Sequence, residues 1–361
     1  MDFEEIDFAD IELSEEQKKY IDGFSYDIRY FNSKVITNYV RYSTTFFKLM
    51  MKSGIQKIEY DDDYLKIKPY FDLFYDYYRW RGVRFPTIKN AFSAISSLFS
   101  YMQDNGFIRY NWVGDYRKRN IKEYKSEERH RQIVSNKELM KILHELGRPK
   151  DNRKNGAIDY EKGELLLTVG MFLAKQGVRI GNFCTLNIKN FDLEKGFVRM
   201  NKHAKRTNCD LPLDEQMIKQ IKKYWALREA KGEILTEESP AFLGPSYRVR
   251  IYPEIVRIKV AEAARIVGLH IPDGELHERF TPHCFRHWFT TYLDSRNLKG
   301  SYIDELRGDK RNKKSRERYN HISKRLLRKA YLKKMEVFKI KPGKDQTKNK
   351  QKKYKKNKQK R

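Results

Sequence analysis

The sequence predicts a mainly α protein of the α+β kind: a helical N-terminal domain, then a mostly helical second domain with a small antiparallel β-sheet. Three observations carry this. Apolar residues recur at helical spacing through most of 32–106. Helix-start and helix-stop residues punctuate 135–340, and strand-like alternation is confined to about 192–213. The chain of 361 residues is long enough for two cores.

Residues 1–30 open with D-F-E-E-I-D-F-A-D-I-E-L, acidic and interleaved with Phe and Ile, which reads as a flexible segment. A helix over V-I-T-N-Y-V-R-Y-S-T-T-F-F-K-L-M-M ends at Ser53-Gly54. A second starts near Asp61-Asp62-Asp63, whose carboxylates suit a helix N-terminus, and runs to Arg81-Gly82. A third follows Pro86-Thr87. Its apolar stripe is Ile88, Ala91, Phe92, Ile95, Leu98, Phe99 and Met102, and Gly106 stops it. These helices define a domain over 31–120. The stretch 121–134, charged and poor in apolar residues, reads as a linker; 135–340 forms the second domain, and 341–361 a disordered basic tail.

The second domain opens on a capping box, Ser135-Asn136-Lys137-Glu138. The loop R-P-K-D-N-R-K-N-G leads to a helix over 161–175. Next comes Gly177-Val178-Arg179-Ile180, where the glycine permits a sharp break and lets Arg179 point inward from a turn. Strand, strand, turn and strand follow from Asp192 to about Leu213, the turn holding Lys202 and Lys205. Helices are predicted over 214–230 and 253–267. Thr281 then caps a helix whose first turn holds Pro282, and His283 and Arg286 fall three apart on one face of it. An imidazole fixed beside a guanidinium suits a phosphate, because Arg offers a planar fork of donors and His can move a proton. Past Arg307-Gly308-Asp309, R-Y-N-H-I places Tyr319, and a phenol can attack phosphorus when neighbouring charge helps it ionise. Alone, each piece is an ordinary surface helix or a half-buried aromatic, and with 24 tyrosines one lies downstream of almost any motif.

A net charge of +28 calls for a polyanionic partner, nucleic acid first, though it selects no chemistry. Cys184, Cys209 and Cys284 match no zinc spacing and cannot all pair, which fits a reducing cytosol. His283, Cys284 and His287 lack the second ligand cluster that a metal site needs. No run approaches the ~20 apolar residues that cross a bilayer, and the acidic start is no signal peptide.

Arg179, Lys202, His283-x-x-Arg286 and Tyr319, in that order and spacing, resemble the tyrosine recombinase (phage integrase) family over about 32–340. The resemblance implies a helical core-binding domain at 31–120 and a catalytic domain at 135–340. It implies a site-specific recombinase that cuts and rejoins double-stranded DNA through a 3′-phosphotyrosyl intermediate. The two arginines would hold the phosphate, Lys202 would protonate the leaving oxygen, His283 would assist and Tyr319 would attack. No metal or cofactor is called for, and a homo-tetramer on paired sites is implied, in the cytoplasm with the nucleoid. The sequence departs from the family in two places. Asn182 stands where a Glu is usual, and Asp309, taken as a site residue, stands where most relatives carry a His or Trp donor. The Gly-Asp version is similar to archaeal members, and Arg307, Lys310 or Arg311 are candidates for the missing donor. Lys205 is the alternative to Lys202. Tyr331 competes with Tyr319, but lies in a helix whose apolar periodicity (Leu326, Leu327, Ala330, Leu332) gives it a packing role. A type IB topoisomerase-like activity and an inactive sequence-specific DNA-binding protein are the alternatives.

Overall fold

The structure, a computed structural model, describes residues 3–4, 7–31, 33–122, 131–148, 150–151, 158–201, 210–244, 249–309 and 322–340. It divides into two compact units, 1–128 and 129–361. The architecture is mainly α with a small antiparallel sheet, as the sequence predicts.

The first unit contains α1 (Glu15–Asp27), α2 (Ser33–Lys52), α3 (Tyr64–Trp80), α4 (Phe85–Asp104) and α5 (Val113–Asn120). The α4 stripe read from the sequence is fully buried from Ile88 to Met102. Each Ile, Leu, Phe or Met side chain of the stripe contributes roughly 1.5–3 kcal/mol on leaving water. Phe71 of α3 packs against Phe46 at 5.8 Å, Phe99 at 5.3 Å and Tyr116 at 5.1 Å, so one ring ties four helices together. Gly106, at φ +72°, ends the α4 turn in a conformation that other residues adopt at a cost.

The flexible segment expected over residues 1–30 is corrected by the structure. Ser14 and Gln17 form a reciprocal capping box that starts α1, and Tyr20, Ile21, Phe24 and Ile28 bury one face of it in the core. The acidic stretch also docks, through Phe3 against Tyr77 at 5.8 Å and Phe8 against Tyr77 at 5.1 Å. Acidic composition masked a helical apolar period.

The second unit holds α6 (Asn136–Leu146), α7 (Tyr160–Gln176), α8 (Ile180–Cys184), α9 (Glu215–Ala230), α10 (Pro253–Ile266), α11 (Pro282–Ser295), α12 (Gly300–Arg307) and α13 (Lys324–Lys334). Between α6 and α7, where the sequence predicts a loop, lies a two-residue antiparallel pair, β1 (Lys150–Asp151) with β2 (Ile158–Asp159). The main sheet is β3 (Phe191–Asp192), β4 (Phe197–Arg199) and β5 (Asp210–Pro212), in that order, with Val198 opposite Leu211. Val198 and Leu211 alternate inward to a core shared with α7, α9 and α11. The turn after β4, with Lys202 and Lys205, lies outside the described residues, as do most of the linker and the 341–361 tail.

Candidate active site

Three chain breaks build the site. The first follows α7, where Gly177 takes φ +57° and lies so close to Phe289 that a Cβ would stand 2.4 Å from the ring. Only glycine satisfies both demands. Two residues on, Arg179 stands extended at the start of α8, its side chain 38% exposed. The second is the start of α11, where Thr281 and Pro282 open the helix and Arg286 falls on its buried side. The third ends α12: Gly308, at φ +66°, reverses the chain, and Asp309 donates its backbone N–H to Asp304 at 3.1 Å.

These breaks bring guanidinium groups together on one carboxylate. Arg179 Nη2 donates to Asp309 Oδ1 at 2.6 Å, and Arg286 Nη2 donates to Asp309 Oδ2 at 2.6 Å. Arg307 Nη2 lies 3.0 Å from the same Oδ2. The Arg286 side chain, only 2% exposed, also donates from Nη1 to the carbonyls of Gly177 at 2.5 Å and Arg307 at 3.1 Å. Its plane and direction are therefore set by backbone, as a buried fork requires. Arg179 Nη1 is buried and has no hydrogen-bond partner among the described residues.

Electrostatics follow from this crowding. Burial pushes the Arg286 pKa down to about 10, Arg307 and Arg179 push the same way, and Asp309 opposes them. The group stays charged at neutral pH. For Asp309, burial alone would raise the carboxyl; Arg286, Arg307 and Arg179 outweigh it and hold the pKa below the ordinary carboxylate value. His283 opens α11 with its ring 4.9 Å from that of His287. His283 is exposed on the surface of α11, yet partial desolvation of its ring, and then the charges of Arg131, His287, Arg286 and Arg307, push its pKa down to about 4. At neutral pH His283 is an uncharged imidazole within the field of the arginines, able to donate or accept one proton.

The structure thus gathers Arg179, Arg286 and Asp309, adds Arg307, and sets His283 within electrostatic range. Lys202 and Tyr319 lie outside the described residues. Tyr331 is fully buried, donates to the carbonyl of Lys175 at 2.9 Å and is held far above its ordinary pKa by burial. Its phenol is committed to packing. Asn182 makes a backbone N–H bond to the Arg179 carbonyl at 3.0 Å, while the carboxylate that holds the guanidinium comes from position 309. Neither local motif announces that pairing, because 130 residues separate its members.

Known proteins resemble this chain in sequence and in fold. The phage integrase family model matches residues 128–326, more than half of the chain. Tyrosine recombinase XerC of Thermodesulfovibrio yellowstonii is 24% identical over 231 residues, covering 63% of this chain and 69% of that protein. The fold resembles that of a lambda integrase dimer bound to a COC′ core site, with TM-score 0.55, 15% identity, and 90% of this chain and 80% of that chain covered. It also resembles a lambda integrase tetramer bound to a Holliday junction, with TM-score 0.53, 16% identity, and coverage of 85% and 80%. The chain belongs to the phage integrase family and is a tyrosine site-specific recombinase.

Proposed function

We propose that this recombinase cuts and rejoins duplex DNA through a 3′-phosphotyrosyl intermediate on Tyr319. The observation that carries the reading is the convergence of Arg179 and Arg286 on a single anion, each through an Nη2 donor at 2.6 Å. In the reaction those donors hold the non-bridging oxygens of the scissile phosphate and stabilise the charge that builds there. The phenol of Tyr319, ordinarily with a pKa near ~10, gives its proton up to solvent by way of the His283 imidazole, under that positive field, as its oxygen bonds to phosphorus. The bond to the 5′ oxygen breaks, and Lys202 donates the proton that the departing oxygen needs. The neutral imidazole of His283 assists proton movement. Rejoining runs the same steps backwards with a new 5′ hydroxyl, so the phosphoester energy is conserved and no nucleotide is consumed.

The first unit then serves as the core-binding domain and the second as the catalytic domain, with double-stranded DNA as the partner of this +28 chain. Assembly as a homo-tetramer on paired sites rests on likeness to the lambda integrase tetramer. Among the described residues no helix is long and apolar enough to cross a membrane, and we place the protein in the cytoplasm with the nucleoid.

A nicked suicide duplex tests the chemistry. Wild type should become covalently joined to it, and Tyr319→Phe should bind the duplex without forming that link. Capture that survives Tyr319→Phe would remove Tyr319 from the role.

A further inference from the structure

We propose that Asp309 is a resident anion: its carboxylate occupies the seat that the three guanidinium groups offer to a phosphate, and an incoming phosphate must displace it. This rests on the reading of Arg179 and Arg286 as phosphate ligands.

Arg286 spends Nη1 on the backbone carbonyls of Gly177 and Arg307, so Nη2 is the end of its fork left for an anion. That Nη2 is bonded to Asp309, and so is Nη2 of Arg179. Asp309, with 21% of its side chain exposed, lies between a 2% exposed Arg286 and a 38% exposed Arg179. An anion that is to take both Nη2 donors therefore finds the carboxylate already on them. A carboxylate and a phosphate on the same two donors would repel each other at contact distance, in surroundings of reduced dielectric.

Charge supports exchange over permanent occupation. Among the described residues, three guanidinium groups meet one carboxylate, so positive charge is in excess at Asp309. The buried Nη1 of Arg179 adds a donor with no partner among the described residues. Released from the forks of Arg179 and Arg286, the carboxylate can keep Arg307, 3.0 Å away and two residues back in the chain. Asp309 is thus a positioning residue. It holds the guanidinium groups aligned in the absence of DNA, at the cost of competing with the substrate for them.

The test uses the full chain and inorganic phosphate, at ionic strength matched with chloride, read by thermal melting. A competitor tethered within the site acts at an effective concentration in the millimolar range or above, so its removal should tighten phosphate binding by at least about tenfold. Asp309→Asn, and independently Asp309→His, should melt lower than wild type in chloride and recover in phosphate, with wild type responding weakly. The gain should vanish when Arg179→Ala is added, which assigns it to this site rather than to the basic surface. Equal phosphate responses in wild type and both variants would overturn the proposal. So would a wild-type chain already stabilised strongly by phosphate, a result that needs no variant to fold. Covalent capture on the nicked duplex separates the two ideas. If Arg179→Ala abolishes capture while Asp309→Asn gains no phosphate binding, the arginines remain phosphate ligands and only the resident anion falls. Capture undiminished by Arg179→Ala would remove the phosphate-ligand reading itself.

Discussion

Arg286 donates from Nη1 to the carbonyl of Gly177 at 2.5 Å, tying α11 to the turn that presents Arg179. One side chain thus orients itself, supports the neighbouring arginine's turn and offers its remaining fork to the anion seat. Lysine in its place would keep a charge but lose the planar fork and most of these bonds. Arg286→Lys should slow covalent capture by about 10²–10³, the range for removing one preorganised donor from a transition state. Retention of DNA in a gel should change little, because binding draws on many phosphate contacts. Capture at the wild-type rate would count against a role for the fork.

Gly177 is constrained twice, by φ +57° and by the Phe289 ring 2.4 Å from where a Cβ would stand. Gly177→Ala should destabilise the second unit by about 2–4 kcal/mol, combining overpacking with left-handed backbone strain. Urea unfolding would read this as a lower midpoint at an unchanged slope. A change within experimental error would mean that α7 and α11 can separate without loss.

His283 supplies a pH dependence with a definite sign. Although His283 is an exposed residue, partial desolvation of its ring, then Arg131 and His287, lower its pKa from 6.5 to about 4 in the folded chain. Between those values the unfolded chain binds this proton and the folded chain does not, so stability falls as the pH drops from 6.5 towards 4. His283→Gln should lose less melting temperature than wild type between about pH 7 and about pH 4.5. Parallel losses in the two proteins would show that the imidazole titrates normally.

Tyr331 separates packing from chemistry. Its hydroxyl donates to the Lys175 carbonyl at 2.9 Å and accepts from Gln176 at 3.4 Å, with the ring fully buried. Tyr331→Phe should cost about 1–2 kcal/mol of stability from the lost hydrogen bond. Covalent capture on a nicked duplex should proceed in that variant. Complete loss of capture in a folded Tyr331→Phe protein would make Tyr331 the nucleophile instead.

Much of the architecture could be read along the chain because its causes are local. The α4 stripe, the Ser135 capping box, Pro282 at the start of α11 and the strand alternation before and after 202–209 each lie within one or two turns of sequence. The α1 helix was equally local, signalled by Ser14-x-x-Gln17 and the spacing of Tyr20, Ile21, Phe24 and Ile28. There acidic composition outweighed period, although burial follows the period.

By itself the sequence determined the helical class, the capping residues and which arginines stand at chain breaks, since backbone propensity and apolar spacing act over a few residues. Only the tertiary structure decided what those arginines face. Asp309 and Arg179 meet because Gly177 and Gly308 turn their chains towards each other against the packed α7 and α11. That meeting depends on side chains filling a shared core and on charges paired across 130 residues, and no local pattern encodes either.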